Sequence, residues 1–219
     1  MKVGTDAVIL GAWVNVKDSK KILDIGTGTG VIALMLAQKS PAEITAIEIG
    51  KDAYEQALEN VRFSKWPTQV SVQNISFQDY YTLSTEKFDL IVTNPPYFTD
   101  SLKSKEESRA SARHNDTLPF DILISGVKKL LHAQGKFYLI LPAKEGDIFR
   151  DMAEQKGLHL SKLLRIRTKA DKTTEKRHVM RFEFTPKSFS EETIVIEQDA
   201  RHDYTQEYKD LTKDFYLGF

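Results

Sequence analysis

The sequence predicts an α/β fold: a mixed, largely parallel sheet with helices on both faces, closed by an antiparallel hairpin. Three observations carry this. Short apolar runs alternate with helical stretches along most of the chain, and such alternation builds a parallel sheet through crossover helices. A glycine-rich turn, Gly26-Thr27-Gly28-Thr29-Gly30, stands between the first run and the first helix. Two β-like runs near the end, 160–168 and 177–184, are separated only by a turn at 170–175, so they should pair with each other.

Residues 21–25 read as a buried strand, and 31–38 as the helix after the glycine turn. Residues 43–49 alternate as a second strand. A helix is expected over 51–65, with Ala53, Ala57, Leu58 and Val61 on one face. Pro67 blocks its extension. A third strand is expected at 69–73 and a fourth at 88–93, which stops at Asn94-Pro95-Pro96-Tyr97. The polar stretch 98–115 has no period and reads as a long loop. A helix at 118–132, a strand at 135–141 closed by Pro142, and a helix at 147–155 follow. Beyond the hairpin, 193–197 reads as an extra strand and 205–217 as a short helix. No linker or repeat interrupts the chain, so residues 1–219 are expected to form a single domain.

Composition narrows the function. The 219 residues are 41% hydrophobic and 28% charged, which suits a soluble globular chain rather than a disordered or fibrous one. There is no cysteine, which excludes disulfide frameworks, thiol chemistry and cysteine-ligated metals. No apolar run approaches the roughly 20 residues of a membrane helix, and no secretory leader reads at the start. A cytoplasmic protein without membrane association is expected. The five histidines (His114, His132, His159, His178 and His202) lack ligand spacing, so no metal site is expected.

Net charge is zero, with 31 basic and 31 acidic side chains, yet the charges segregate along the chain. Residues 161–181 carry eight Lys/Arg against Asp171 and Glu175, a net of +6, and residues 182–219 carry a net of −5. A local basic patch can meet phosphates even on a neutral protein. Lys172, Lys176 and Arg177 are the candidates here. In the long loop, Arg109 and Arg113 are further candidates, among the acids Asp100, Glu106 and Glu107.

Glycines after a strand let the chain turn sharply and let a ligand approach the backbone. In open parallel sheets, ligands sit beyond the carboxyl ends of the strands. A dinucleotide fingerprint, G-x-G-x-x-G from Gly26, would need glycine where Val31 stands. The spacing here is G-x-G-x-G with Asp24 two residues ahead, which favours a ligand bearing an amino group or hydroxyls over a pyrophosphate. Glu48, at the end of the second strand and 18 residues past Gly30, is placed to accept hydrogen bonds from ribose hydroxyls.

The stretch from Asp24 to Gly30, with Glu48, resembles the cofactor site of class I S-adenosylmethionine-dependent methyltransferases. The resemblance implies a Rossmann-like, seven-stranded sheet whose last strand is antiparallel. It implies S-adenosylmethionine as cofactor, with Asp24, Gly26, Gly28 and Gly30 along its methionine part and Glu48 on its ribose. Many members carry an Asp after strand three that contacts the adenine amine. Ser76 occupies that place in this sequence.

Asn94-Pro95-Pro96-Tyr97 adds the chemistry. The prolines fix the backbone and leave carbonyls free to accept. The Asn94 side-chain oxygen and the Pro95 carbonyl can both accept from one planar NH₂. That grip draws the nitrogen lone pair out of conjugation and stabilises the charge that develops on attack. Tyr97 can stack on a flat substrate. The motif is similar to that of methyltransferases acting on planar amino nitrogens: adenine N6, guanine N2 of ribosomal RNA, or glutamine N5 of a protein. Met1-Lys2-Val3-Gly4-Thr5-Asp6, Leu10-Gly11-Ala12-Trp13 and residues 211–217 together resemble the tRNA1(Val) adenine-37 N6-methyltransferase family. Members carry a further segment ahead of the Lys-Val-Gly-Thr-Asp stretch with which this sequence begins. The resemblance implies a tRNA partner, places Thr5 and Asp6 near the methionine end of the cofactor, and counts Asn94 among the cofactor-binding residues as well. For Thr5 and Asp6 a helix N-cap role is equally open. A monomer is expected. A glutamine N5-methyltransferase, a guanine N2 enzyme and a non-catalytic RNA-binding module remain the alternatives.

Overall fold

The computed structural model describes residues 4–96, 118–171, 173–216 and 218. Tyr97, the loop with Arg109 and Arg113, and Lys172 lie outside the described residues. The elements in order are α1 (Thr5–Trp13), β1 (Lys21–Ile25), α2 (Val31–Lys39), β2 (Glu43–Glu48), α3 (Lys51–Arg62), β3 (Val70–Asn74), α4 (Phe77–Leu83) and β4 (Phe88–Thr93). Then come α5 (Phe120–Leu130), β5 (Leu131–Pro142), α6 (Ala143–Gln155), β6 (His159–Lys169), β7 (Arg177–Glu183), β8 (Ser190–Glu197) and α7 (Gln206–Thr212), with a 3-10 turn at Lys213–Phe215.

One eight-stranded sheet runs in the order β3-β2-β1-β4-β5-β7-β6-β8. β7 is antiparallel to both β5 and β6, and every other neighbouring pair is parallel. The expected hairpin is therefore present. The extra strand read at 193–197 is present as β8, which starts at Ser190 and pairs along β6 from Lys162↔Ser190 to Lys169↔Glu197, so the sheet has one strand more than the seven the resemblance implies.

β1 lies at the centre, with Ile22, Leu23, Asp24 and Ile25 all buried, as a strand covered on both faces must be. Successive side chains feed opposite cores. Ile22 joins Ile9, Leu36 and Tyr208 under α1, α2 and α7. Leu23 and Ile25 join Phe77, Leu123 and Phe149 under α4, α5 and α6.

Sequence periodicity passes over two helices. In α1, Val8, Ile9, Leu10 and Gly11 are consecutive and all buried, so no polar face alternates with them. Gly11 meets α2 so closely that an added Cβ would lie 2.7 Å from Met35 Sδ. α4 has only seven residues, too few for a period, but its start carries a local signal. The Ser76 hydroxyl accepts from Asp79 N–H (3.0 Å) and donates to the Asp79 carboxylate (2.6 Å). That is a cap with the Ser-x-x-acid spacing. Among the described residues no helix is long and apolar enough to cross a membrane.

Candidate active site

A cleft of about 410 Å³ opens across the carboxyl ends of β3, β2, β1 and β4, within the range of small-molecule sites. Its floor is the glycine turn. Gly26, Gly28 and Gly30 have φ of 66°, 59° and 84°, the left-handed region that other residues enter at a cost. A Cβ at Gly26 or Gly28 would meet nothing within 4 Å, so at both positions glycine keeps the space above the backbone open. Gly30 serves packing instead. It precedes α2 and lies against Ala57 of α3, where a Cβ would come 3.6 Å from the alanine methyl.

Two carboxylates hold the turn. Glu48 accepts from Gly28 N–H through one oxygen and from Gly50 N–H through the other, both at 2.8 Å. Each oxygen keeps further acceptor capacity, and Glu48 lines the cleft. Asp24 lies beneath the turn, fully buried, and accepts from the Thr27 hydroxyl at 2.6 Å. Burial pushes its carboxyl up to about 7, against the opposing pull of the Thr27 hydroxyl and the Ala33 N–H.

On the other side of β1, Thr93 donates its hydroxyl to Ile25 O at 2.9 Å, locking the end of β4 to β1. Asn94, Pro95 and Pro96 follow and line the cleft together with Leu118. The cleft thus gathers Gly26, Gly28, Glu48, Asn94, Pro95 and Pro96 from the sequence-derived candidates. It does not gather Asp24 and Gly30, which support the turn from below, or Thr5 and Asp6. Asp6 instead accepts from Arg177 Nε at 2.7 Å.

That bond ties α1 to the hairpin. Arg177 stands opposite Pro142 of β5 and Ile166 of β6, so the hairpin turn lies at the same carboxyl edge of the sheet as Asn94. The basic character of residues 161–181 is partly spent within the protein. Arg165 donates to Glu175 (2.7 Å) and Glu191 (3.1 Å). Arg181 meets Glu183 at 3.4 Å. His178 Nε2 lies 2.7 Å from Glu175. Burial raises the Glu175 carboxyl, but its bonds from His178 and Arg165 outweigh burial and hold it below the ordinary value. Lys176 remains exposed.

A larger groove lies at the opposite edge, between the end of α1, residues 14–20 and the end of α2. It has no comparable set of groups. Its Lys39 caps α1, donating to the carbonyls of Gly11, Ala12 and Val14.

Sequence reading missed Ile49, Ile75 and Gln78, which line the β3 end of the cleft. Strand-end position marks the first two; nothing local marks Gln78.

The sheet order and the glycine turn at its centre are those of the class I methyltransferase fold. The chain belongs to the methyltransferase small domain family, whose model matches residues 3–146. It is 45% identical over 218 residues to the tRNA1(Val) (adenine(37)-N6)-methyltransferase of Bacteroides fragilis, covering 99% of this chain and 91% of the relative. It is 46% identical over 219 residues to the protein of the same name from Phocaeicola vulgatus, covering 100% and 92%. Among solved structures it is similar in fold to an Agrobacterium tumefaciens protein described as a predicted O-methyltransferase. That match has a TM-score of 0.74 at 15% identity, covering 95% of this chain and 96% of the other.

Proposed function

We propose that the protein methylates N6 of adenine 37 in a valine tRNA, with S-adenosylmethionine as methyl donor. The observation that carries this is a single cleft holding both halves of the reaction. Gly26, Gly28 and Glu48 lie on one side of β1, and Asn94-Pro95-Pro96 on the other. The relatives that are 45% and 46% identical to this chain over nearly their full length are named for that reaction.

The residues fit the donor. The open space over Gly26 and Gly28 admits a chain of methionine size, and the spare acceptor capacity of Glu48 suits vicinal hydroxyls. Bound there, S-adenosylmethionine supplies an electrophilic methyl on a sulfonium, so the protein need not activate an electrophile. The Asn94 oxygen and the Pro95 carbonyl accept from the two hydrogens of the adenine amine. They orient its nitrogen toward the methyl and stabilise the positive charge that grows on it. The N–C bond forms as the S–C bond breaks, and one amine proton leaves to solvent. Tyr97 stacks on the target base. An adenine in a tRNA loop is already partly unpaired, so its extraction costs less than the few kcal/mol a duplex demands.

We assign phosphate contacts to Lys176 and Arg177, which stand at the same sheet edge as Asn94, and to Lys172, Arg109 and Arg113. Action on tRNA implies a cytoplasmic setting. The test is incubation of the purified protein with unmodified valine tRNA and S-adenosylmethionine, followed by mass-spectrometric mapping. N6-methyladenine at position 37 is expected. Methyl transfer to a protein glutamine or an rRNA guanine, with tRNA untouched, would overturn the reading.

A further inference from the structure

Of the hydrogen-bonding side chains at the end of β3 and the start of α4, Asn74 and Ser76 are committed. The Asn74 amide donates to Glu48 O (2.8 Å) and Ile49 O (3.1 Å). The Ser76 hydroxyl is engaged twice with Asp79. Ser76, which stands where many methyltransferases carry an adenine-reading Asp, is thus occupied as a helix cap. Gln78 differs. It is half-buried and lines the cleft, and its carboxamide has no hydrogen-bond partner among the described residues. Apolar side chains flank it. Ile75 is half-buried, and Ile49 is 46% exposed, apolar surface that a flat ring would cover.

The strand order decides what part of a ligand reaches this end. The strands run β3-β2-β1-β4. Asn94, after β4, receives the methyl acceptor, so the sulfonium end of the donor lies beside β1 and β4. Glu48, after β2, meets the ribose. The adenine then falls after β3, among Ile49, Ile75 and Gln78.

We propose that Gln78 reads the adenine of the methyl donor, resting on the reading of this cleft as the donor site. Its carbonyl oxygen accepts from the exocyclic amine, and its NH₂ donates to ring nitrogen N7; on that edge hypoxanthine offers two acceptors instead. This two-point match between a carboxamide and adenine is used in base recognition generally. It replaces with a neutral group the carboxylate that the position of Ser76 does not supply.

Calorimetry on the full chain tests it with two probes: S-adenosylhomocysteine, and its hypoxanthine counterpart, in which an oxygen replaces the amine. The wild type should prefer the adenine compound by about tenfold. Gln78→Ala should lower affinity for the adenine compound by about tenfold and bring the two probes level. Gln78→Glu keeps an acceptor for the amine and should keep the preference. A preference unchanged in Gln78→Ala would overturn the assignment, and the ratio within one variant does not depend on how much of that variant is folded. Glu48→Ala separates the two levels of the argument. Weaker S-adenosylhomocysteine binding in Glu48→Ala alongside an unchanged Gln78→Ala removes Gln78 and leaves the donor site. Unchanged affinity in Glu48→Ala, or no binding by the wild type, overturns the donor site and the Gln78 assignment with it.

Discussion

At the residue scale, Asn94 and Asp24 show how two polar side chains a strand apart serve opposite ends. Asn94 lines the open cleft at the end of β4, where a carboxamide can track a developing charge. Losing one such preorganised partner costs about 10²–10³ in rate. Asn94→Ala should therefore drop single-turnover methylation of tRNA by about that factor. S-adenosylhomocysteine affinity should change little, because the donor-binding groups on β1 and β2 stay in place. Asp24 faces inward instead. Its carboxyl has an ordinary value of 3.8 and is pushed up to about 7 by burial under the glycine turn. Between those values the folded protein holds a proton that the unfolded chain releases. This group's contribution to stability is therefore fully present below about 4 and is lost as pH rises through about 7. Asp24→Asn keeps an acceptor for Thr27 and cannot ionise. Denaturant unfolding between pH 5 and 8 should show the wild type losing stability across that range more steeply than Asp24→Asn. Equal slopes would mean that the carboxyl is ionised in the fold throughout.

At the element scale, the cleft depends on how α5 supports α4. Gly126 of α5 passes so close to α4 that an added Cβ would lie 2.5 Å from the Phe77 ring and 2.8 Å from Tyr81. Phe77 lines the cleft and begins α4. Alanine is favoured over glycine inside a helix by about 1 kcal/mol, while overpacking a filled core costs about 1–3 kcal/mol. The clash should win. Gly126→Ala is expected to lower the denaturant midpoint, and to weaken S-adenosylhomocysteine binding because Phe77 must move. A rise in stability would mean that the ring relocates at no cost. Ser76 and Asp79 carry the spacing of a cap, a local signal for α4 that sequence reading passed over. The crowding has no such signal, because Gly126 and Phe77 are far apart in sequence and meet only through the packing of two helices.

At the scale of the whole molecule, charge distribution governs the encounter with RNA. Lys176 is exposed at the carboxyl edge, while Arg177 is also bonded to Asp6. The two should behave differently. Lys176→Gln should lower the salt slope of tRNA binding by a little under one unit and leave stability unchanged. Arg177→Gln should lower the slope and also destabilise α1, read as earlier loss of helix on heating. An unchanged slope in both variants would remove the hairpin from the interface and leave Arg109 and Arg113 as the better candidates.

The sequence by itself determined the parts whose cause is local. β1 and β4 read from their apolar runs, the turn from glycines, which enter positive φ without the steric cost other residues meet, and the end of β4 from two prolines. Glu48 followed from its place at a strand end. Only the tertiary structure decided the rest. α1 is buried along consecutive residues and α4 is one turn too short, so neither carries a period. The hairpin and the extra strand read from the sequence, but the place of β7 between β5 and β6, and of the extra strand parallel beside β6, are choices of strand pairing that no local pattern sets. The apparent basic patch at 161–181 is partly cancelled because β8 brings Glu191 beside Arg165. Asp6 meets Arg177, 171 residues away. Charge along a chain adds up in sequence order, but charge in a folded sheet adds up in strand order, and only the fold sets the second.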